Sequence, residues 1–486
     1  MLFLALLCIC LFALVLRVAL TLNREVDIDE FQHLHSAWML SQHYVLYRDD
    51  WQNHTPLFYY LLLPLFRYCR EGPGLVLIVR EITSFAALGI PLLTYVLARL
   101  DHDKLTSFLA VIILSYMVIF AEKSIEARPD QFLIILWLAS LWISIRALSS
   151  EQKGRFVLAG FLLGLGFLFS QKALLPYAAV SLIFLTHGYL RRLPGAFRRF
   201  LVIQCFYTLG FLVPIAILFA FFDHLGTLKE LITSTVLDSF TYPNTYRPFY
   251  LLELRNICFF LLALAGVIIH VWNLKQSSVA ARANKIALLL AAVFLLMVFL
   301  FLQPAPYPQS TMLFTPLLAI YGAEAFRKSM DGLLVSRRSV PQTNRNRVRL
   351  RAKALAPFAF ALAAGLVIPC AILILKGRPF SQTNAEQFRT MEYVLAHTQS
   401  KDVVFDGESA YVFRPQAYFY GSLFHAIVWN IQRGEIKQDI PDSLLKTDCR
   451  VVIYDERVAT LPASVQLFLR TNYAPSGFPG VYLAKR

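Results

Sequence analysis

The stretch LFLALLCICLFALVLRVALTLNREVDIDEFQHLHSAWML, Leu2 to Leu40, joins an apolar run to a cluster of acidic residues. A helix needs roughly 18 or more such apolar residues to cross the hydrocarbon core of a bilayer. Directly after the run, three carboxylates and two histidines fall within nine positions, from Asp27 to His35. Charge at membrane depth is costly and usually functional. The stretch therefore predicts a membrane span that is followed by a charged segment at the membrane surface.

The composition extends this prediction to the whole chain. Of the 486 residues, 57% are hydrophobic and only 16% are charged. A soluble protein of this size would expose too much apolar surface, so the sequence predicts a polytopic α-helical membrane protein. The first span could instead be a cleaved signal peptide, but Arg17 interrupts it and a basic n-region is missing, which favours a retained helix. Eleven spans are predicted: residues 2–22, 74–98, 104–121, 131–149, 156–170, 174–190, 199–222, 249–273, 285–302, 310–326 and 354–375.

The net charge of +15 is concentrated in short segments between the apolar runs. One segment is LRRLPGAFRRF, residues 190–200, and another is NRNRVRLRAK, Asn344 to Lys353. By the positive-inside rule these are cytoplasmic loops that face anionic lipid. The alternative is a nucleic acid or a specific lipid headgroup as partner. The charge distribution favours the first interpretation, with the N-terminus inside, the acidic first loop outside and no nucleic-acid partner.

The sequence divides into a membrane domain, residues 1–376, and a small external α/β domain, residues 377–486. The external loop 23–73 contains an amphipathic segment and a short apolar one, which predict helices lying in the membrane interface. In the second domain, β-branched runs alternate with helical patterns. A further external loop, Asp223 to Pro248, continues into a Tyr- and Pro-rich segment and is expected to cover a site as a lid.

Asp27, Asp29 and Glu30 form the first candidate cluster. Crowded carboxylates repel one another, so at least one pKa should rise unless cations lie near. A carboxylate at a dry interface suits general-base chemistry on a hydroxyl or amine. The alternative is a solvated loop start, which is common after a span.

The next external turn, EKSIEARPD, contains Glu126, Arg128 and Asp130. The alternative to a site is a structural ion pair that fixes the loop. A functional role gains weight because both acidic clusters are predicted to emerge on one face of the membrane.

Three further residues fall in turns on the same face: Lys172 in FSQKALLPY, His54 in NHTPLF and Tyr307 in QPAPYPQSTM. Each has an ordinary interpretation, respectively a snorkelling anchor, a structural histidine and a member of the aromatic belt. Taken together with the acids, cations and hydroxyls of this kind can hold a phosphate while a carboxylate activates a nucleophile. The combination suggests group transfer from a lipid phosphate, with electrostatic stabilisation of the departing charge.

Four segments in order, over about residues 20–325, carry a resemblance to a known family. They are the Asp-Glu loop with YRDDWQNHTPLFYYLL (Tyr47 to Leu62), EARPD, SQKA and PYPQSTMLFTP. The chain resembles the GT-C glycosyltransferases, in the branch of the protein O-mannosyltransferases and the lipid A aminoarabinose transferases, glycosyltransferase family 39 and its relatives. The resemblance implies a GT-C membrane domain of about eleven spans with interfacial helices in the first external loop.

The resemblance also implies roles for single residues. Asp29, with Glu30 beside it, matches the acid taken to act as base or to orient the acceptor, and Asp130 matches a second acid near sugar and acceptor. Lys172 and Tyr307 match positions that bind the donor phosphate. His54 stands where the aminoarabinose transferases carry a lysine, so it is a conditional cation there.

Arg128 and Glu126 complete the predicted substrate-binding set. The sequence thus predicts a membrane glycosyltransferase that moves a sugar, with inversion, from a polyprenyl-phosphate donor to a lipid, glycan or protein acceptor. The alternatives are a flippase that moves a lipid-linked sugar without bond chemistry, and a non-catalytic membrane scaffold. The family implies no cofactor and no catalytic metal, and no metal-ligand spacing such as C-x-x-C is found in the sequence. A monomer in the inner membrane of a bacterium is expected, with the site and the C-terminal domain in the periplasm.

Overall fold

The computed structural model describes residues 2–150, 152–238, 248–275, 279–303, 306–338, 355–407, 412–437 and 439–485. The membrane domain is a bundle of helices joined by short turns. Its helices are α1 (Leu2–Asn23), α2 (Ile28–Ser41), α3 (Leu57–Tyr68), α4 (Pro73–Ala86), α5 (Gly89–Ala98), α6 (Lys104–Tyr116), α7 (Val118–Lys123), α8 (Asp130–Ser150), α9 (Lys153–Phe169), α10 (Leu174–Leu190), α11 (Ala196–His224), α12 (Leu228–Ile232), α13 (Leu254–Leu274), α14 (Val279–Met297), α15 (Thr315–Arg338) and α16 (Leu355–Leu375).

Eight segments within the described residues are long and apolar enough to cross a membrane. They are Leu4–Asn23, Pro73–Ala98, Asp130–Ser150, Gln171–Leu190, Ala196–His224, Leu254–Leu274, Arg282–Leu302 and Leu355–Leu375. Their outward faces carry exposed leucines, isoleucines and phenylalanines, as lipid-facing helices do. The prediction of a polytopic helical membrane protein is therefore confirmed, and eight of the eleven predicted spans coincide with these segments.

The other three predicted spans correspond to helices that are shorter or more polar. The span 104–121 divides into α6 and α7, because Met117 adopts an extended backbone with ψ of 120°. The span 156–170 lies in α9, which has 17 residues. The span 310–326 begins as a 3₁₀ turn, Pro308–Leu313, and continues in α15, whose second half bears charged residues.

The first external loop forms helices, as predicted. Helix α2 is almost entirely buried, and Phe31, Leu34 and Trp38 lie within the main core. Helix α3 contributes Phe58, Tyr59 and Leu62 to the same core. These helices lie beneath other parts of the chain, so they form a rigid platform between the membrane spans and the C-terminal domain.

The C-terminal region is a small α/β unit. Its helices are α17 (Ala385–His397), α18 (His425–Gln432), α19 (Ile440–Lys446), α20 (Glu456–Ala459) and α21 (Ala463–Asn472), and its strands are β1 (Val404–Phe405), β2 (Val451–Ile453), β3 (Tyr473–Pro475) and β4 (Val481–Ala484). The strand order is β1-β2-β4-β3, with β1 and β2 parallel and the other two pairs antiparallel.

The α/β unit packs directly on the first external loop. Trp51 of the loop is 5% exposed and belongs to the core of the unit, beside Phe424. The Asn384 amide donates to the Leu22 carbonyl over 2.8 Å. The start of the C-terminal region therefore packs against the end of α1. Of the expected lid, Asp223 to Pro248, residues 239–247 lie outside the described residues, whereas its first part forms the end of α11, helix α12 and a π-helical turn, Thr233–Leu237.

Candidate active site

Helix α2 begins with a capping box that fixes the side chains of Asp27 and Glu30. The Asp27 side chain accepts a hydrogen bond from the Asp29 amide, and Glu30 accepts one from the Asp27 amide over 2.9 Å. This reciprocal arrangement satisfies amides that a helix start otherwise leaves without partners. Asp29, between the two capping residues, projects its carboxylate from the first turn of the helix.

Glu30 is completely buried and forms a two-pronged ion pair with Arg80 of α4. The Arg80 Nε and one terminal nitrogen each donate over 2.8 Å, and the Ala127 amide donates to the same carboxylate over 2.7 Å. The remaining Arg80 donors meet backbone carbonyls at the end of α1. Glu30 therefore joins the first loop to α4 and to the second loop, and both of its oxygens are engaged.

Arg128 is the centre of the acidic cluster. Its three guanidinium nitrogens donate to three different carboxylates, those of Asp27, Asp29 and Glu126. Lys123 donates to Asp27 over 2.9 Å and to Glu126 over 2.8 Å. Burial favours a raised pKa for Asp27, but the charges of Arg128 and Lys123 outweigh it and hold that pKa well below its usual range.

Asp29 differs from the two other carboxylates that Arg128 holds. The Glu126 side chain is 2% exposed and lies between Arg128 and Lys123, whereas the Asp29 side chain is 30% exposed. Arg128 contacts only one Asp29 oxygen, Oδ2, which Gln309 also approaches at 3.5 Å. Among the described residues, no donor meets Asp29 Oδ1. Asp29 thus presents an ionisable oxygen to its surroundings while its orientation is fixed.

Gln309 also shows where the late turn lies. It belongs to the 3₁₀ turn Pro308–Leu313, directly after Tyr307, which is partly buried. The structure therefore brings the Tyr307 turn to the Asp29 carboxylate. Gln309 was missed from the sequence because a neutral amide in a Pro-rich turn carries no charge signal.

Asp130, at the start of α8, pairs with Lys172 in the turn before α10. The Lys172 Nζ donates to Asp130 Oδ1 over 2.7 Å. The other Asp130 oxygen, Oδ2, is buried and has no hydrogen-bond partner within the described residues. The Lys172 side chain is 18% exposed, so the pair lies just beneath the surface of the protein. An unpartnered buried carboxylate oxygen is unusual and suggests a place where a ligand hydroxyl would donate.

His54 lies beside this pair, in the segment that connects α2 and α3. Its ring packs edge-on against His33, with centroids 4.8 Å apart. Burial and the nearby Lys172 charge lower the pKa of His54 to about 4, although Asp130 and Asp29 oppose the shift. Near neutral pH the imidazole is therefore uncharged, and because its Nδ1 lies 2.7 Å from Asn53 Oδ1, the remaining Nε2 can only accept a hydrogen bond from a ligand.

A buried chain of polar side chains continues from His33 and was not predicted. His33 Nδ1 lies 3.2 Å from the Tyr59 hydroxyl, which donates to Gln52 over 2.8 Å. Gln52 donates to Ser36, which donates to Asp50. These groups are spread over three segments of sequence, so only the fold makes them neighbours.

The predicted site residues consequently form one assembly at one end of the bundle. Arg128 touches Asp29 and precedes Asp130 by two positions, and His54 experiences the charges of both acids. The cluster combines the oriented, partly exposed carboxylate of Asp29 with the Lys172 ammonium, which has two N–H donors beyond the one directed at Asp130. Such a combination can accept a proton from one ligand and bind an anionic group of another.

Comparison with known proteins agrees with this geometry. Residues 53–207, which include His54, Arg128, Asp130 and Lys172, match the family described as dolichyl-phosphate-mannose-protein mannosyltransferase. ArnT from Cupriavidus metallidurans, solved bound to undecaprenyl phosphate, superposes with a TM-score of 0.67 at 14% identity, over 98% of this chain and 97% of that one. The fold is that of a membrane GT-C glycosyltransferase. The predicted resemblance is thereby confirmed.

A second similar structure broadens the comparison. The oligosaccharyltransferase AglB from Archaeoglobus fulgidus, in complex with an inhibitory peptide and a dolichol-phosphate, has a TM-score of 0.56 at 12% identity, over 99% of this chain and 74% of that one. No curated protein sequence matches the chain. At these identities the structural similarity establishes the fold only. The identity of the donor and of the acceptor must be inferred from the residues of the site.

Proposed function

We propose that this protein transfers a sugar from a polyprenyl-phosphate donor to an acceptor at the membrane face that carries Asp29. One observation carries the proposal: the partly exposed Asp29 carboxylate is oriented by Arg128 within the same assembly as the Asp130–Lys172 pair. This arrangement supports the assignment of Asp29 as a base and of Lys172 as an anion-binding cation in one site. The similar ArnT structure contains undecaprenyl phosphate, which supports a donor of this chemical class.

Lys172 is the proposed partner of the donor phosphate. One of its three ammonium protons is directed at Asp130, which leaves two for phosphate oxygens. Tyr307 would add a hydrogen bond without adding charge, whereas the neutral His54, whose Nδ1 lies 2.7 Å from Asn53 Oδ1, would have only an accepting Nε2 and would line the site rather than hold the phosphate. Asp130 would accept a hydrogen bond from a sugar hydroxyl through Oδ2, the buried oxygen that lacks a partner among the described residues.

Asp29 is the proposed general base. The acceptor oxygen or nitrogen forms a bond to the anomeric carbon while its proton passes to Asp29. At the same time the bond between that carbon and the phosphate oxygen breaks, and its electron pair leaves with polyprenyl phosphate. A single displacement of this kind inverts the anomeric centre. Lys172 stabilises the charge that develops on the departing phosphate.

The neighbouring ionic residues have positioning roles in this proposal. Arg128 has all three nitrogens on carboxylates, so it orients Asp29 rather than a ligand. Glu126 forms an ion pair with Arg128, and Glu30 forms one with Arg80. Asp27 is a poor base because both of its oxygens accept from cations and its pKa is held low.

The charge of the connecting loops supports a site on the external face of the membrane, and the similarity to ArnT from Cupriavidus metallidurans supports the inner membrane of a bacterium. The acceptor would then be a lipid, glycan or protein on that face of the membrane. Mass spectrometry of lipids and glycans from a deletion strain is the direct way to identify the sugar and its acceptor.

The role of Asp29 is tested by complementing the deletion strain and by assaying purified protein with the donor so identified. Asp29→Asn keeps the size of the side chain but removes the base, and we expect transfer to fall at least about 100-fold. Asp27→Asn removes a charge that pairs with Lys123 and Arg128, so it should lower the melting temperature, but transfer by the folded protein should fall much less than for Asp29→Asn, because asparagine still caps α2 and Asp29 is retained. Asp442→Asn, an exposed acid in α19, serves as the expression control.

Detergent solution separates transfer from transport. A flippase has no compartments to move a lipid between in detergent, so release of polyprenyl phosphate there requires bond chemistry. Transfer by Asp29→Asn at the wild-type rate would refute the assignment of the base. Failure of the wild-type protein to release polyprenyl phosphate from the identified donor would refute the proposed function.

A further inference from the structure

A second cluster of polar groups lies at the opposite end of the bundle. Asp101 and His102 form the turn between α5 and α6, and His270 lies near the end of α13. Helix α6 has 13 residues, so this turn is about 20 Å along the helix axis from the break at Met117 that leads to the candidate active site. The proposed transfer reaction does not use these residues.

The three side chains converge on one point. One potential ligand atom from each, a carboxylate oxygen and two imidazole nitrogens, lies within 4.8 Å of the others. Two of the side chains present buried atoms without a hydrogen-bond partner in the described part of the chain, Asp101 Oδ2 and His270 Nε2. The His270 side chain is only 2% exposed. Buried polar atoms normally have partners, so two orphans at one place indicate a missing ligand.

The surroundings of His270 match those of a metal-bound histidine. Its other ring nitrogen, Nδ1, lies 2.9 Å from Glu324 Oε2 on α15. A carboxylate on the far nitrogen fixes the tautomer and the ring orientation and makes the free nitrogen more basic, which is the usual second layer around a metal. Glu324 is itself held by Asn273 over 3.0 Å.

We propose that Asp101, His102 and His270 bind a zinc ion. Two imidazole nitrogens and one carboxylate oxygen suit Zn²⁺, with water as fourth ligand. A tetrahedral zinc site has ligand atoms about 3.3 Å apart, so side-chain shifts of about 1 Å would close the present arrangement. This proposal departs from the sequence-based expectation of no metal, which rested on the lack of a familiar ligand spacing.

The ion would act as a structural clamp. Its ligands come from the α5–α6 turn and from α13, and its supporting carboxylate comes from α15. The zinc would fix these three elements to one another at the end of the bundle distant from Asp29. Lys285 opposes binding, because its Nζ lies 3.6 Å from Asp101 Oδ1.

The test uses tag-free, full-length protein in detergent, stripped with a chelator, equilibrated with Zn²⁺ and desalted. Metal analysis should find about one zinc per chain, and bound zinc should raise the melting temperature. Competition with a chromophoric chelator gives the affinity. Asp101→Asn and His102→Ala should each weaken it more than tenfold, and Glu324→Gln by about 10- to 100-fold.

Two further variants make the test specific. Lys285→Gln should tighten zinc binding, because it removes the cation that competes for Asp101, and a purely structural role for this cluster predicts no such gain. His224→Ala, at the exposed end of α11, should leave the affinity unchanged. Absence of retained zinc in the wild-type protein, or unchanged affinity in both Asp101→Asn and His102→Ala, would overturn the proposal.

Discussion

At the scale of single residues, four cations allow four carboxylates to remain close together beside the first span, and the fourth cation, Arg24, lies 4.0 Å from Glu126. Arg80 neutralises the buried Glu30, while Arg128 and Lys123 together neutralise Asp27 and Glu126 and hold Asp29. Removing one member of a buried pair leaves an uncompensated charge, which typically costs about 3–5 kcal/mol. The cluster is therefore a structural unit in which only Asp29 retains an oxygen for chemistry.

The sequence predicted much of this cluster and missed part of it. Carboxylates and lysines stand out in apolar sequence, so Asp29, Asp130 and Lys172 were found. The alternative of a structural ion pair describes Glu126 and Arg128 well, since both are nearly buried. Gln309, Tyr59 and Asp50 were missed because their neighbours are distant in sequence, and burial rather than residue type gives them significance.

His54 yields a prediction for pH dependence. Its pKa is lowered from 6.5 to about 4, so between these values the unfolded chain binds a proton that the folded chain does not. Stability should consequently fall as pH drops through this window, by about 1–2 kcal/mol for this residue after allowance for solvent screening. His54→Gln should make the decline of melting temperature between pH 6.5 and 4 shallower.

The matched control for that measurement is His397→Gln. His397 is exposed at the end of α17, so its replacement should leave the slope as in the wild-type protein. An equal slope for His54→Gln and wild type would contradict the buried neutral state of His54.

At the scale of elements, glycines determine how closely α9 and α11 approach. A Cβ at Gly164 would lie 2.4 Å from the Phe211 carbonyl oxygen, and one at Gly210 would lie 2.0 Å from the Val157 carbonyl oxygen. Small residues four apart, such as Gly160 and Gly164, allow membrane helices to pack backbone to backbone. Since α9 leads into the Lys172 turn, this packing fixes the position of Lys172 relative to α11.

We expect Gly164→Ala to lower stability by about 1–3 kcal/mol, because the backbone of α11 must move to admit the methyl group. Gly154→Ala is the matched control in the same helix. Nothing lies within 4 Å of its Cβ position, and it lies in the first turn of α9, so alanine there should change stability little. Melting temperatures in one detergent should therefore fall for Gly164→Ala and stay close to the wild-type value for Gly154→Ala. A gain in stability for Gly164→Ala would contradict the close approach.

Element boundaries were predicted unevenly. Long apolar runs gave eight spans, because hydrocarbon thickness sets their length. The break between α6 and α7 could not be predicted, since no glycine or proline marks Met117. That break redirects the chain so that α7 brings Lys123 to the acidic cluster. The tertiary contact between Lys123 and Asp27 thus accompanies a helix break that the continuous apolar pattern does not predict.

At the scale of the whole molecule, the α/β unit and the first external loop share one hydrophobic core. Trp51 is the largest contribution of the loop, and its indole nitrogen donates to Asp238 over 3.3 Å. Arg414 adds an ion pair to Glu71 at 3.1 Å. The sequence predicted a separate C-terminal α/β region, but composition alone cannot predict that an aromatic residue from a distant loop completes its core.

Trp51→Ala should weaken this docking by about 3–5 kcal/mol, the usual cost of deleting a buried tryptophan. Trypsin should then cleave after Lys376 and release the C-terminal region more than tenfold faster, because cleavage follows the population of the open form. Trp429→Ala removes a half-exposed tryptophan from the same region and should change the rate little. Equal cleavage of the two variants would refute the shared core.

The insertion of Trp51 into the distal unit also sets an order on biogenesis. Ribosomes make the loop that bears the indole more than 350 residues before Phe405, and β4 near the chain end completes the sheet that encloses it. Until the last segment has been exported and folded, that ring has no apolar surroundings. A nascent polypeptide arrested before β4 would therefore leave the indole of Trp51 exposed to water, and docking of the first external loop would be completed only once β4 has been made.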